Sequence, residues 1–187
     1  WVLQQSCRQL RRWLDQGLAP LSLAVNVSAQ QFSKAQLLDE LKLVLTETAL
    51  PAGLLELEVT ESVLMTDESR VIATMHQIKA LGVRLAIDDF GTGYSSLAYL
   101  KRLPLDVLKI DRRFIEHIPQ ANDDQQIVSA IIALAHTMNF KVLAEGVETA
   151  EQLAFLRQQG CDYYQGYLCS KPLPADDFEH LIRSQNS

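Results

Sequence analysis

Six segments of the 187-residue sequence each place a polar residue, able to bind a metal ion or a phosphate, among apolar residues. The six polar residues are Asn26, Glu58, Asp88, Lys109, Glu145 and Gln165. Successive side chains of a strand point to opposite faces, so each polar side chain would lie on the face opposite its apolar neighbours. Six such strands predict a ring of functional groups around one site.

The residue types in this ring favour a hard cation. Its oxygen donors are the side chains of Asn26, Glu58, Asp88, Asp89, Glu145 and Gln165. None of the four histidines falls in a predicted strand. Oxygen ligands without imidazole or thiolate favour Mg²⁺ or Mn²⁺ over Zn²⁺. The sequence therefore predicts a magnesium or manganese site and makes a zinc hydrolase a poor fit.

Asp88 and Asp89 are adjacent, although adjacent side chains of a regular strand diverge. Both can face one site only where the strand ends, and the nearby Gly91 and Gly93 indicate a turn there. Two carboxylates so placed can hold two cations ~3.5–4 Å apart, the spacing that suits in-line displacement at phosphorus. The alternative is that Asp-Asp before a glycine turn reflects turn formation alone.

Lys109 lies in mid-strand between Leu108 and Ile110, where an ammonium group is costly to bury without anionic partners. The carboxylates of the ring are the expected partners. In that position the lysine could hold a nucleophilic water or offset charge on a phosphate oxygen. The alternative is a purely structural ion pair with Asp111, which stands two residues on and faces the same side.

Helical patterns separate the predicted strands. Helical spacing of apolar residues predicts one helix from about Asp123 or Asp124 to Met138 and another over 71–81. Ser33 with Gln36, and Thr149 with Gln152, have the spacing of capping boxes, and the second helix is expected to stop at Gly160. Alternating strands and helices predict a parallel α/β sheet with its active edge at the carboxyl ends of the strands.

The number of predicted strand and helix units indicates how much of a barrel the chain can form. A closed (β/α)₈ barrel of the TIM type usually takes ~250 residues, and six strand and helix units fall two short of it. The chain opens directly in helical periodicity at Val2 and Leu3. We therefore expect residues 1–187 to be a single domain that forms the last three quarters of a barrel. The alternative is a complete six-stranded doubly wound domain.

Composition fits a soluble enzyme that is held in a reducing compartment. The sequence is 48% hydrophobic and 21% charged, and it has no apolar run of membrane-spanning length. Its three cysteines, Cys7, Cys161 and Cys169, lack metal-ligand spacing, and their odd number suggests that they stay reduced. A net charge of -6 argues against broad binding of DNA or RNA duplexes, but a phosphate substrate remains compatible through bridging metal ions.

Six motifs together resemble the EAL-domain cyclic di-GMP phosphodiesterases. They are Asn26-Val27-Ser28, Glu58-Val59-Thr60-Glu61, Asp88-Asp89-Phe90-Gly91-Thr92-Gly93-Tyr94-Ser95-Ser96, Lys109-Ile110-Asp111, Ala144-Glu145-Gly146-Val147-Glu148 and Gln165-Gly166-Tyr167. One Asp-Asp or Lys-Ile-Asp would be weak evidence. Six motifs in order along nearly the whole chain are specific.

The resemblance implies a (β/α)₈-type barrel whose first strand runs against the others, a two-metal Mg²⁺ or Mn²⁺ site, and hydrolysis of cyclic di-GMP to linear pGpG. It implies that Glu145 is the general base and that Lys109 orients the water. The implied metal ligands are Asn26, Glu58, Asp88 and Asp89. The implied substrate-binding or supporting residues are Asp111, Glu148, Gln165 and Lys171.

Glu61 resembles the glutamate that anchors the loop after Asp89. That loop, residues 90–96, would couple dimer contacts to metal binding. The resemblance also implies a homodimer in the cytoplasm, with a sensory or diguanylate-cyclase-like domain upstream in the same protein.

One departure concerns the Glu-x-Leu signature of the family, whose glutamate is a metal ligand on an early strand. No residue of this sequence replaces it, so we expect the natural protein to continue upstream and the isolated piece to expose strand edges. Two functions remain open. The first is an active phosphodiesterase, favoured by the carboxylates that are present. The second is a catalytically inactive receptor module that binds cyclic di-GMP and signals to a partner. An unrelated barrel acting on another phosphoester is a more distant third.

Overall fold

A parallel sheet of six strands forms the centre of the computed structural model, which describes residues 1–18, 21–34, 36–65, 67–91 and 96–185. The strands are β1 (Leu23–Val27), β2 (Leu55–Thr60), β3 (Arg84–Phe90), β4 (Val107–Ile110), β5 (Lys141–Ala144) and β6 (Tyr163–Tyr164). Every neighbouring pair is parallel, and the order in the sheet is the order in the chain.

This order decides between the two architectures that the sequence left open. A doubly wound sheet reverses its strand order at a switch point, whereas a barrel wall adds each new strand on the same side. Strands β1 to β6 follow one another without a reversal, and they form a half-barrel with β1 and β6 at its two edges. The predicted α/β barrel fold is confirmed, and the doubly wound alternative is wrong.

Helices connect the strands. They are α1 (Val2–Asp15), α2 (Ala29–Phe32), α3 (Gln36–Thr48), α4 (Glu68–Ala80), α5 (Leu97–Leu100), α6 (Arg112–Ile115), α7 (Asn122–Thr137), α8 (Ala150–Gln158) and α9 (Ala175–Gln185). Two 3₁₀ turns, Ala52–Leu54 and Glu61–Met65, flank β2. Within the described ranges, none of the helices combines the length and the apolar character that crossing a bilayer requires.

The helix boundaries test the predicted caps. The capping box of Thr149 and Gln152 is confirmed at the start of α8, and Gly160 follows that helix with φ +80°. The box predicted for Ser33 and Gln36 is wrong, because α3 begins at Gln36 and Ser33 ends α2 in a helical conformation. The capping box in this segment instead pairs Ser28 with Gln31.

Apolar residues of the strands face the helices and make the core. Leu57, Leu85, Leu108 and Val142 are fully buried on that face. The alternate positions point to the concave face of the half-barrel, and there the side chains are largely polar. The middle strands β2, β3 and β4 are largely buried on both faces, which explains why they read as nearly continuous apolar runs with isolated polar residues.

Two aspartates, Asp106 and Asp162, accept hydrogen bonds from backbone amides at the amino-terminal ends of neighbouring strands, opposite the predicted active edge. Asp106 precedes β4, and its carboxylate accepts a hydrogen bond of 2.8 Å from the Leu85 amide at the start of β3. The same carboxylate accepts hydrogen bonds of 2.5 and 2.7 Å from Lys79 Nζ. One aspartate therefore ties α4, β3 and β4 together.

Asp162 plays the same part before β6. Its carboxylate accepts hydrogen bonds from the Val142 amide at 3.0 Å and from Lys141 Nζ at 2.6 Å, and lies 2.9 Å from His136 Nε2. Burial alone would raise the pKa of Asp162, but hydrogen bonds from Lys141, His136 and Val142 outweigh it and lower that pKa. The carboxylate therefore stays charged and holds β5 beside β6.

The first and last helices of the chain also meet. The rings of Trp13 in α1 and Phe178 in α9 have centroids 5.3 Å apart with planes inclined by 39°. Tilted aromatic pairs at this distance are favourable contacts. Trp13 thus links the two ends of the described chain.

Candidate metal and catalytic site

Lys109 lies at the centre of a carboxylate cluster on the concave face of the sheet. Its Nζ is 2.8 Å from Glu58 Oε1, 3.0 Å from Asp88 Oδ1 and 2.6 Å from Glu145 Oε1. Lys109 is only 3% exposed, so these contacts replace the water that an ammonium group would otherwise bind. The carboxylate partners expected from the sequence are present, and they come from β2, β3 and the end of β5.

The surrounding carboxylates stabilise the protonated, positively charged form of Lys109. Burial alone would lower the pKa of Lys109, but the hydrogen bonds to Glu145 and Glu58 raise it above its ordinary value. Asp111 has a different role from the ion pair considered as an alternative. It is not among the Lys109 contacts within the described residues, and its Oδ1 accepts a 2.8 Å hydrogen bond from the Arg113 amide at the start of α6.

Asp88 and Asp89 reach the same site by way of an irregularity in β3. The pairing of β3 with β4 shifts between Ile87 and Phe90, and Asp89 has a left-handed φ of +54°. An extra residue in one strand re-aims the side chains beside it. As the sequence predicts, β3 ends close to this pair, at Phe90, and Gly91 turns the backbone with φ +97°. The bulge, which the sequence did not predict, turns Asp89 inward.

Three of the carboxylates are close enough to share a metal ion. Asp88, Asp89 and Glu145 each offer an oxygen, and the three oxygens lie within 4.8 Å of one another. This donor set suits a hard divalent cation, which prefers carboxylate oxygens. The residues present therefore fit a divalent cation bound through oxygen ligands.

Two of these carboxyl groups, Asp89 and Glu145, have pKa values above the ordinary range. Burial raises the pKa of Asp89, and the negative charges of Asp88 and Asp111 raise it further. Burial also raises the pKa of Glu145, with Lys109 opposing the shift. The site concentrates negative charge that a cation would neutralise.

The two remaining predicted ligands belong to the neighbouring strands. Asn26 of β1 is the register partner of Glu58 of β2, so the two side chains stand side by side on the concave face. Asn26 is exposed, whereas Glu58 is 7% exposed and engaged with Lys109. Glu58 would have to share its carboxylate between Lys109 and a metal ion.

Glu61, the predicted loop anchor, follows β2 directly and is 5% exposed. It lies at the start of the 3₁₀ turn that packs beside β3. Residues 92–95 of the loop that it is expected to anchor lie outside the described residues. The position of Glu61 beside the end of β3 is compatible with the predicted role.

A cavity of about 460 Å³ opens next to Glu145. Among the residues that line it are Glu148 and Gln165, which the sequence predicted as substrate-binding or supporting positions. Gln165 follows β6 rather than lying within it, and its backbone pairs with Ala144 and Val147. Both predicted residues thus border the same space as Glu145.

Sequence reasoning missed other residues of this cavity. Arg112, Thr149 and Tyr167 also line it. Arg112 and Thr149 follow the carboxyl ends of β4 and β5, which is where α/β sheets place their ligands. That rule could have identified them, although a position after a strand does not show which side chain faces the cavity.

Two glycines allow the backbone around this cavity to pack tightly. Gly146 has φ +68°, and a Cβ there would lie 2.6 Å from Arg112 Cβ. At Gly166 a Cβ would meet the Val147 carbonyl oxygen at 2.1 Å. Only glycine fits at either position, so both help to set the direction of Glu145 and Gln165.

Lys171 lies at the periphery. Its Nζ is 5.6 Å from the centroid of the Tyr167 ring, within the range of a cation–π contact. Both side chains are exposed. Lys171 therefore reaches the cavity only through Tyr167, and a direct role in substrate binding stays a prediction.

Comparison with known proteins places this geometry in a family. The EAL domain profile matches residues 1–172. The chain is 50% identical over 184 residues to the cyclic di-GMP phosphodiesterase NbdA of Pseudomonas aeruginosa, covering 98% of this chain and 24% of the relative. It is 51% identical over 176 residues to MucR of the same species, a bifunctional diguanylate cyclase/cyclic di-GMP phosphodiesterase, covering 94% and 26%. The chain thus spans about a quarter of the length of these relatives.

Solved structures show the same fold. The phosphodiesterase of MucR, in complex with c-di-GMP, superposes with a TM-score of 0.91 at 50% identity, over 95% of this chain and 72% of that chain. The EAL domain of Mycobacterium smegmatis DcpA gives 0.94 at 39% identity, over 98% and 83%. A manganese and cyclic di-GMP complex of Klebsiella pneumoniae BlrP1 gives 0.80 at 29% identity, over 91% and 44%. By sequence profile and by fold, the chain belongs to the EAL domain family.

Proposed function

We propose that this chain is the catalytic part of a metal-dependent phosphodiesterase that hydrolyses cyclic di-GMP to linear pGpG. The observation that carries the proposal is the cluster in which Lys109 contacts Glu58, Asp88 and Glu145. An oxygen of Asp89 lies within 4.8 Å of oxygens of Asp88 and Glu145. The names of NbdA and MucR and the bound ligand of the MucR structure support the same substrate.

The roles follow from position and chemistry. We assign metal binding to Asn26, Glu58, Asp88 and Asp89, and Mg²⁺ or Mn²⁺ as the ions. The manganese complex of BlrP1 supports a divalent cation. When bound, two such ions would stabilise the attacking and leaving oxygens of a phosphoryl displacement. Asp111 supports α6 beside the site, and Glu61 is assigned to the loop that follows β3.

Glu145 is assigned as the general base. A water molecule attacks one phosphorus of the cyclic dinucleotide, and Glu145 accepts a proton from that water. The bond from phosphorus to the 3′ oxygen breaks, and this oxygen takes up a proton from solvent to become the 3′ hydroxyl of pGpG. Burial raises the pKa of Glu145, which makes its carboxylate a better proton acceptor than an exposed glutamate. Lys109, held 2.6 Å from Glu145, orients the water and offsets charge on the phosphate.

The cavity beside Glu145 is assigned to the nucleotide. Glu148 and Gln165 border it, as does Tyr167, which carries Lys171 against its ring. Its walls combine carboxylate, amide and aromatic groups, which suit the hydrogen-bonding edge and the flat face of a base. This chemistry supports a nucleotide rather than a simple phosphate ester.

Turnover of cyclic di-GMP with Mg²⁺ or Mn²⁺, followed by chromatography for pGpG, tests the proposal in the full natural protein. We expect Glu145→Gln to lower kcat by roughly 10²–10⁴, the usual contribution of a general base. Glu151→Gln, an exposed change in the first turn of α8, is the matched control and should leave kcat unchanged. Binding of cyclic di-GMP without turnover by the wild type would reject the enzyme and leave the receptor.

The predicted assembly and location are also proposals. A companion domain is supported by MucR, whose name includes a diguanylate cyclase activity. A homodimer coupled to the loop after β3 is proposed from the family resemblance. We propose a cytoplasmic location because Cys7, Cys161 and Cys169 are free thiols, which suits a reducing compartment.

A further inference from the structure

Gln152 is a buried residue whose side-chain amide joins two walls of the cavity beside Glu145. It lies in the first turn of α8, is 5% exposed and lines the cavity. Its Oε1 accepts hydrogen bonds from the backbone amides of Glu148 at 2.8 Å and Thr149 at 3.0 Å. Its Nε2 donates to the carbonyl oxygen of Ile115 at 3.0 Å. One side chain thus connects the loop after β5 with the end of α6.

These contacts match the hydrogen-bonding capacity of the side chain on both sides. A glutamine amide has an oxygen that accepts two hydrogen bonds and a nitrogen that donates two. In Gln152 the oxygen faces two backbone N–H groups, while the nitrogen faces the carbonyl oxygens of Ile115 and, at 3.5 Å, Glu116. An apolar side chain of the same size would leave backbone groups of both walls without these partners, which is costly where they are buried.

Capping a helix does not by itself require such a buried side chain. The capping box at the start of α2 pairs Ser28 with Gln31, and there Gln31 is exposed. Gln152 makes the same local pattern with Thr149 and adds a hydrogen bond to Ile115, which lies 37 positions away in the chain. This additional bond fixes α6 relative to the loop after β5, rather than the start of α8.

A different hydrogen bond holds the beginning of the loop after β5. The Glu145 amide donates to the Ile110 carbonyl oxygen at the end of β4, at 3.1 Å, and this bond does not involve Gln152. Further along the loop, Gln152 accepts from the amide of Glu148, which borders the cavity. Losing Gln152 would therefore release the wall at Glu148 and leave Glu145, the proposed base, in place.

We propose that Gln152 is a positioning residue that holds the wall carrying Glu148 against α6 and thereby sets the affinity of the cavity for cyclic di-GMP. The proposal rests on the function proposed above, in which this cavity takes the nucleotide. If the wall is aligned for only a fraction of the time, the apparent dissociation constant rises by the inverse of that fraction. Gln152 therefore acts on the KM for the substrate, whereas kcat depends on Glu145 and the metal ligands.

Steady-state kinetics with cyclic di-GMP and Mg²⁺, on the full natural protein, test this with two variants. Gln152→Glu keeps an acceptor for the two loop amides, and glutamate is a usual residue at this position of a capping box, but an ionised carboxylate cannot donate to Ile115. Gln152→Met removes both functions and adds no charge. Each variant should raise KM roughly tenfold, as expected if the wall is aligned about a tenth of the time, and change kcat by less than about twofold.

The two variants separate this role from its alternatives. If only Gln152→Met raises KM, Gln152 supports the start of α8 alone, and if only Gln152→Glu raises it, the added charge is responsible. Either result overturns the proposal, as does a fall in kcat as large as the rise in KM. Gln158→Glu, the same change at the exposed end of α8, is the matched control and should leave KM and kcat unchanged.

Hydrogen–deuterium exchange without nucleotide measures the wall directly. Peptides that cover residues 112–116 and 146–152 should exchange faster in Gln152→Met than in the wild type, and unchanged exchange would overturn the proposal. If Gln152→Glu does not fold, the exchange and the KM of Gln152→Met decide. Absence of turnover by the wild type would reject the proposed function, whereas normal turnover by the wild type with an unchanged KM in both variants would reject only the role of Gln152.

Discussion

Lys109 takes the place among the carboxylates that a divalent ion would also seek. Its three contacts at 2.6–3.0 Å neutralise a cluster that would otherwise repel itself. The sequence was sufficient to predict this, because an ammonium between Leu108 and Ile110 needs buried anions. The sequence was not sufficient to show that Asp111 does not contact Lys109, because residues two apart on a strand share a face. Only the structure shows that Asp111 caps the start of α6 instead.

Replacing Lys109 with methionine should separate stability from metal binding. Lys109→Met leaves the buried carboxylates without their cation, so the free energy of unfolding without metal should fall by about 3–5 kcal/mol. Mn²⁺ should then raise the melting temperature more in the variant than in the wild type, while turnover of cyclic di-GMP is lost. Calorimetric melting with and without Mn²⁺ measures this, with the exposed Lys42→Met as the control. An equal rise in both proteins would contradict the competition between Lys109 and metal.

At the scale of elements, sequence patterns gave the strands and most helices but not their irregularities. The helix predicted over 71–81 spans Glu68–Ala80, and the one predicted from Asp123 or Asp124 to Met138 spans Asn122–Thr137. The bulge at Asp89 could not be predicted, because the pairing between β3 and β4 determines it and neither strand shows it alone. The capping box predicted at Ser33 and Gln36 was wrong because Ser28 and Gln31, five residues earlier, have the same spacing and form the box in the structure.

The glycine at the end of β5 allows a test of how the backbone directs Glu145. Gly146→Ala should destabilise the protein and impair turnover, because the added Cβ would lie 2.6 Å from Arg112 Cβ at a left-handed φ. Gly17→Ala is the matched control, since its φ is +77° with no atom within 4 Å of the added Cβ. Gly17→Ala should lower the free energy of unfolding only by the cost of a Cβ at a left-handed φ, about 1–2 kcal/mol. Denaturant titration and kcat measure both variants, and equal losses would show that the contact with Arg112 is unimportant.

The fastening of β5 to β6 should depend on pH. The pKa of Asp162 is lowered in the folded protein, so its contribution to stability is present above the unfolded pKa of ~3.9 and is lost as pH falls through the folded value. At pH 7, Asp162→Asn should lower the free energy of unfolding by about 1 kcal/mol. The difference from wild type should shrink in acid, as urea titrations at several pH values would show. Asp177→Asn, an exposed change in α9, is the control for the loss of a surface carboxylate. A difference between Asp162→Asn and wild type that stays constant with pH would contradict this account.

At the scale of the whole molecule, α9 packs back on α1 through Phe178 and Trp13. Trp1 is 89% exposed, so Trp13 should supply the blue-shifted part of the tryptophan emission. Phe178→Ala should shift that emission to the red and lower the free energy of unfolding by roughly 1 kcal/mol, the size of an aromatic pair contact. Leu173→Ala, an exposed residue before α9, is the control. An unchanged spectrum in Phe178→Ala would mean that this pair does not hold α9 in place.

The strand order has a consequence for how the protein is made. Each strand pairs with the one synthesised just before it, so the wall can be assembled in the direction of translation. The residues of the site, in contrast, extend from Asn26 to Gln165. At a synthesis rate of ~5–20 residues per second, roughly 7–28 s separate the first of them from the last. A chain whose synthesis is interrupted in this interval contains several paired strands but only some of the residues from Asn26 to Gln165, so the proposed site is complete only after Gln165 has been added.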